Sequence, residues 1–536
     1  MELKLKRILY SVTLAALASM PMAVNAEFNP FGALNNVIKG ATQQLAPSPK
    51  SKEARAADQS TAQASAQFGL GKASKRRVIY EGYSKDILPI KTLIRQGKLS
   101  QAISLMEKAN PDQENYDLLT SLQFGSMNLD ADNAVTAEKR FAFAERKLVA
   151  ESDQGFVTGL FSGVASTALS TITGNAELGD YEGVGFERVL ILNYKSIAHM
   201  LEGDRKAYNV TLRAIDLQNI EKNKFDALVR EAKEEIKTQE KEQQDKGAEI
   251  GNVGFGGIVS DQYKGSNKKA LTVPSAFVNP FGFYIAGIVL ELDGYEDTSI
   301  RDNARISFKK ALELNPKSSV IKQAIKDLSK PAKRNKRLVN VIIGDGFAPE
   351  KKILKFDLSM GLALPTEIEL PIYEPVSSKV HRIEVQTSTG KRWARLSEVA
   401  DITALAMRFQ KDAGALAQLR MMSTVIRNVI EGHVWNQATQ QAGVFGAFIS
   451  SIKEQRDEMV HPDMRSWSML PSRLLAARFY VPKSVSLIKI VSYNRKGKVL
   501  ASKIVNIDKN SHNIVYARTL DNTIYTASSN KMWVGM

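Results

Sequence analysis

The spacing of apolar residues changes once along this chain, and that change limits the fold more than any motif. From about Val78 to Ser329, apolar residues recur three to four apart, the period of helices buried on one face. After Lys330, short β-branched runs bounded by turn residues take over. The expectation is an α + (α+β) chain. An irregular helical-repeat domain spans residues 77–330, and a β-rich α+β domain with a helical insertion spans 338–536. Pro331 to Arg337 is a basic linker between them.

Within the first region three stretches share one stripe: Ala102, Met106 and Ala109; Ala207, Thr211 and Ala214; Ala304, Phe308 and Ala311. A small–large–small stripe lets an antiparallel helix approach closely, as in the second helix of a tetratricopeptide (TPR) repeat. Pro316, just after Leu314-Asn315, stops the third helix. The partner helices are expected over Phe186 to Leu201 and over Pro280 to Leu292, the latter with Asn279 as cap. Glu221 to Lys246 reads as a charged, exposed helix, Phe156 to Gly174 as a small-residue helical hairpin, and Gly251 to Gly257 as a loop. That loop lacks a preceding strand and a Lys-Ser/Thr in Walker position, so it is no phosphate cradle.

Strands are expected over Leu338 to Ile343, Ile368 to Tyr373, Ile383 to Thr387, Val485 to Tyr493, Lys498 to Ile507 and Asn513 to Arg518. Pro371 confines its strand to a sheet edge, and Arg495 to Lys498 reads as a hairpin turn. Helical patterns interrupt from Leu396 to Gln410 and from Leu416 to Ile452. A sandwich-like sheet follows from this order.

Residues 1–26 read as a cleaved export signal. Lys4, Lys6 and Arg7 precede the apolar run Ile8 to Met20, and Val24-Asn25-Ala26 offers a cleavage site. The run is shorter than the roughly 20 residues a membrane span needs, so no transmembrane segment is expected after cleavage. Residues 27–76 form a low-complexity tether whose Phe28, Phe31, Leu34 and Val37 recur every three residues. The chain has no cysteine, which excludes disulfides, thiolate metal sites and a lipidated N-terminal cysteine. A periplasmic location fits these features, with peripheral membrane contact through the stretch after the signal.

The formal net charge of +16 favours anionic surfaces. With export, that means anionic lipid, lipopolysaccharide or acidic wall polymer rather than nucleic acid. Chemistry is poorly signalled. The five histidines are not spaced as metal ligands, and no HExxH, calcium loop or Gly-x-Ser-x-Gly elbow occurs. His461-Pro462-Asp463 beside Ser466 is the nearest thing to a nucleophile cluster, but neighbours in sequence rarely converge on one atom. Asp463 and Arg465 pairing at a turn over a packed Trp467 is the better account. No cofactor or metal is implied.

Three stretches together carry a resemblance: Gly179 to Val189 continuing to Gly203-Asp204; Asn279-Pro280-Phe281 with Asn303-Ala304-Arg305; and Asp463 to Trp467 with Leu470-Pro471. With Gly344 to Pro349, they resemble a poorly characterised family of proteobacterial envelope proteins with TPR-like helices, over roughly residues 78–520. Many relatives look like lipoproteins, and this chain departs from them in lacking the anchoring cysteine. The resemblance implies a cell-envelope role beside other envelope proteins, and it carries no activity over. The expected function is therefore a non-enzymatic scaffold or adaptor for envelope proteins. The alternatives are a wall- or glycan-acting enzyme and a binder of anionic envelope polymers. Tyr181, Glu187, Arg188, Asn279, Phe281, Asp463, Arg465 and Trp467 are the candidate interaction or motif residues.

Overall fold

Caps and stripes set the helices. In the computed structural model, which describes residues 77–79, 83–150, 181, 183–245, 268–357, 367–413 and 464–529, a short strand β1 (Arg77–Ile79) leads into ten helices. These are α1 (Tyr83–Asp86), α2 (Leu88–Arg95), α3 (Leu99–Ala109), α4 (Leu118–Asp130), α5 (Ala134–Ala150), α6 (Gly185–Leu201), α7 (Lys206–Asp245), α8 (Pro280–Asp293), α9 (Thr298–Leu314) and α10 (Ser319–Leu328). The expected signal, tether, 156–174 hairpin, 251–257 loop and 416–452 helix lie outside the described residues.

The Asn279 side chain accepts the Phe281 N–H at 3.0 Å with Pro280 in the first turn of α8, as the sequence predicts. Asp297 accepts the Ser299 and Ile300 N–H groups at the start of α9. Between these two helices the stripe closes: Ala304, Phe308 and Ala311 are fully buried. A Cβ on Gly287 would lie 2.7 Å from the Phe308 ring, so only glycine permits this approach. Ala207, Thr211 and Ala214 are likewise buried, but Ala109 is exposed, and the first stripe stops at Met106. The charged helix expected from Glu221 is not separate. It continues the preceding helix as the 40-residue α7, about 60 Å long.

Three sheets follow. β2 (Lys336–Asp345), β7 (Ser397–Asp401), β8 (Arg473–Pro482), β11 (Asn513–Leu520) and β12 (Thr523–Ser528) form one, in the order β12-β11-β2-β8-β7. β5 (Arg382–Gln386), β6 (Arg392–Arg395), β9 (Leu487–Tyr493) and β10 (Val499–Asn506) form the second, in the order β10-β9-β5-β6. β3 (Glu350–Asp357) lies between β1 and β4 (Glu367–Glu374), which puts Pro371 on an edge strand as expected. β11 runs parallel to β2 and the other pairs are antiparallel.

The predicted helix from Leu396 is corrected in its first turn and a half. Ser397 to Asp401 pair with β8 instead, burying Val399 and Ala400, because strand pairing at that sheet edge outweighs a weak helical pattern. Helix begins at 402, where Asp401 caps it by accepting the Ala404 N–H.

Period two sorts the side chains into layers. Val339, Val341 and Ile343 of β2, with Leu475, Ala477 and Phe479 of β8 and Val515 and Ala517 of β11, meet Ile383, Val385, Ile488 and Ile490 of the second sheet. The alternate residues of the same strands face the helices. Tyr516 reaches Asp130 of α4 at 3.2 Å and lies edge-on to Tyr194 of α6. Arg478 makes two 2.8 Å hydrogen bonds to Glu291 of α8 and one of 3.2 Å to Asp327 of α10. Every residue of α6 is buried. Helices, five-stranded sheet and four-stranded sheet thus stack as three layers.

Candidate functional site

Four of the sequence-predicted residues converge where the segment 464–471 crosses the start of α6. Glu187 Oε1 accepts the Trp467 backbone N–H at 2.9 Å. Its Oε2 accepts the Val184 N–H at 3.1 Å and the Tyr181 hydroxyl. The Arg465 guanidinium lies 5.6 Å over the Tyr181 ring. Trp467 donates its indole N–H to Ser126 at 2.9 Å and packs edge-on to Tyr194. Arg188, one residue along α6, makes a bidentate pair with Glu221 of α7 at 2.9 and 2.7 Å. Asn279 and Phe281 lie apart from this junction but are tied to α7, since Gln218 accepts the Asn279 N–H. Asp463 falls outside the described residues.

Tyr181, Glu187, Arg188, Asn279, Phe281 and Trp467 are all at most 5% exposed. Their chemistry is directed inward, to binding α4, α6 and α7 to one another and to the 464–471 crossing. Ser466 is buried as well, and its carbonyl accepts a bond from Gln123.

An open site lies at the far end of the sandwich, under the β9–β10 hairpin. A cleft of about 420 Å3 is lined by Arg382, Arg395, Arg473 and Arg495, with His381 at its rim. Glu398 and Asn494 supply neutral or acidic polar groups, and Ile383, Leu396 and Leu475 an aliphatic floor. Strand geometry makes this cluster. Arg382 and Glu384 alternate onto one face of β5, and antiparallel pairing sets Arg395 opposite Glu384. Glu384, 7% exposed at its side chain, then stands 3.3 Å from Arg382, 3.3 Å from Arg392 and 3.8 Å from Arg395. Arg382 also stacks 4.3 Å over Tyr493.

Arg473 is fixed differently. Its Nε and Nη2 donate to the buried Asp345 carboxylate at 2.9 and 2.8 Å. Burial raises the Asp345 pKa despite the pull of Arg473 and the Thr519 hydroxyl. Burial, then Asp401, raises that of Glu398 too. Arg495 is exposed and unpaired among the described residues. Four guanidiniums (Arg382, Arg395, Arg473, Arg495) and the Glu398 carboxyl line the cleft, and Glu384 and Asp345 behind them pair with three of the four, so the cleft keeps a positive surplus.

No motif in the sequence marks these residues as a site. The Arg-x-Glu alternation at 382–384 and the close arginines 392 and 395 are the signal, but only strand pairing to β9 brings Arg495 near them, and only the stacking of the two sheets brings Arg473, about 80 to 100 residues on. Among the described residues, no group of three or more His, Asp or Glu is placed to hold a metal ion, and no helix is long and apolar enough to cross a membrane. Comparison with protein-family models, with curated proteins and with solved structures found no match.

Proposed function

We propose that this chain is an exported, non-enzymatic binding protein of the cell envelope, and that it takes an anionic group in the arginine cleft. One observation carries the proposal: four arginines and a histidine from separate strands and turns open onto one cleft with surplus positive charge. Fixed guanidiniums bind carboxylates and phosphates with little further ordering, because Glu384, Tyr493 and Asp345 already hold three of them in place. The export pattern of residues 1–26 supports an envelope location, where anionic lipid and polymer are abundant.

The adaptor role for envelope proteins keeps one supporting observation. The α8–α9 pair packs glycine against Phe308 between two alanines, as a TPR-like hairpin would. The helical layer then serves as the frame that carries the cleft, and outward helix faces are left for protein partners.

The test is retention of the full chain on immobilised anionic envelope polymer across a salt series. Retention should fall steeply with salt, and Arg395→Ala with Arg495→Ala should weaken it more than Lys322→Ala with Lys509→Ala, exposed positions outside the cleft lining that remove as much charge. Equal losses in the two double variants would reject the cleft as the binding site.

A further inference from the structure

We propose that the outward face of the four-stranded sheet docks on the surface of an anionic lipid bilayer. The inference goes beyond the cleft reading and needs no ligand there, since Arg392, Lys489, Val499 and Ile504 lie outside the cleft lining. Charge is concentrated on this sheet. Its two hairpins, residues 382–395 and 487–506, carry nine lysines and arginines against one carboxylate, Glu384. They therefore hold half of the formal net charge of +16.

Register decides which side chains share the outer face. Ile383, Val385, Ile488, Ile490 and Val505 belong to the core of the sandwich, so period two turns their neighbours outward. Ile504 of β10 stands opposite Lys489 of β9, and Lys489 opposite Gln386 of β5. Val499 stands opposite Tyr493, and Tyr493 opposite Arg382. Beyond them Arg392 and Arg395, both more than half exposed at their side chains, flank Glu384. The β10 side is apolar instead: Ile504 is 60% exposed, Val499 49% and, on β9, Leu487 38%.

That combination selects the occupant. A soluble polyanion would engage the cations and leave Ile504 and Val499 in water. A bilayer surface engages both, because cations meet lipid phosphates while aliphatic side chains reach the acyl boundary. The face is also broad. Val499 and Ile504 are separated by about 15 Å along β10, and four strands span about 14 Å. Cationic and apolar side chains can thus meet headgroups and acyl chains at the same time.

The test is co-sedimentation of the full chain with vesicles of phosphatidylglycerol mixed into phosphatidylcholine, and with vesicles of phosphatidylcholine alone. Affinity for labelled soluble polyglutamate is read alongside by fluorescence anisotropy. The chain should bind the mixed vesicles, less as salt rises, and should not bind phosphatidylcholine alone. Arg392→Ala with Lys489→Ala should weaken vesicle binding about 25-fold, roughly fivefold for each charge. Ile504→Ser with Val499→Ser should weaken it about tenfold and leave polyglutamate affinity unchanged. In Ile504→Trp, the emission of the added indole should shift to the blue when mixed vesicles are added. Vesicle binding that ignores the serine variants, with no emission shift, overturns the bilayer in favour of a soluble polyanion. Vesicle binding lost only in Arg395→Ala with Arg495→Ala overturns the sheet face and leaves the cleft reading standing. Failure to bind any vesicle overturns the inference outright, and the polymer series above then judges the cleft by itself.

Discussion

Arg478 is the sharpest test of how the layers are held. Its guanidinium is 1% exposed, and Glu291 and Asp327, at 0% and 9%, are its ionic partners. Glu291→Leu removes both 2.8 Å bonds and leaves a buried cation with Asp327 alone. Breaking one side of a buried pair costs about 3–5 kcal/mol, mostly from the charge left behind. At about 2 °C per kcal/mol for a unit this large, the melting temperature should fall by about 6–10 °C. Adding Arg478→Met removes the orphaned cation and fills the space with an apolar chain. Asp327 keeps a partner, since Gln323 donates to it at 2.8 Å. The double variant should therefore recover more than half of the loss. Thermal unfolding by far-ultraviolet circular dichroism reads all three proteins. A single-variant drop below about 2 °C, or a double variant no better than the single, would refute the idea that unpaired charge dominates this junction.

Glu187→Gln sets an amide N–H₂ against one of three donors (the Trp467 and Val184 N–H groups and the Tyr181 hydroxyl), so denaturant unfolding should show a loss of about 2–3 kcal/mol. Gly287→Ala drives a methyl to within 2.7 Å of the Phe308 ring and should cost about 1–3 kcal/mol in the same assay. Burial raises the Asp130 pKa to about 6, so this carboxyl opposes folding once ionised: its contribution is favourable in acid and is lost as pH rises from the unfolded value of 3.8 to about 6. Asp130→Asn should then stabilise by about 3 kcal/mol at pH 7.5, with the difference from the parent vanishing toward pH 4. Burial, helped by Arg337, lowers the His512 pKa to about 4, so its stabilising contribution is lost as pH falls from 6.5 to about 4, and a His512→Gln difference curve should slope the opposite way over that window.

Local signals were legible wherever one residue decides the outcome. Asn279 before Pro280 fixes a helix start, Asn315 before Pro316 a helix end, and Gly497, at φ 79°, the β9–β10 hairpin. The alternating runs around Ile383, Ile490 and Val515 announce strands for the same reason. Legibility failed where pairing decides. β8 carries Arg473 and Arg478 within an otherwise apolar run, which reads as neither clean period, yet each arginine has a carboxylate waiting on a neighbouring element. The strand at Ser397–Asp401 exists because β8 offers it an edge. Candidate residues fared the same way. Glu187, Trp467 and Tyr181 each stand in a motif, but nothing in the spacing joins those motifs, and only the fold shows that they meet and face inward. The cleft arginines carry no motif, because their proximity is a property of sheet order and not of spacing.

That difference explains where a ligand can meet this body. β11 buries all eight of its residues and β2 all but its first, so both faces of the central sheet are spent on packing. α6 and α8, the helices against it, have no exposed residue to offer a partner. Among the described residues, the surfaces left for binding are the outer helix faces, the outward face of the four-stranded sheet and the ends where the layers part. The outward sheet face holds Arg382, Glu384, Arg392 and Arg395, and it runs directly into the end where Arg473 and Arg495 stand. A basic chain could scatter its charge over the surface and still be soluble. Here one nearly buried carboxylate gathers three guanidiniums, and a second fixes a fourth, at the place where the two sheets open. Holding so many like charges together opposes folding unless something offsets it, and Glu384 and Asp345 offset only part. On the proposed reading an anion in the cleft would supply the remainder, so anion binding and the stability of the sandwich end should rise together.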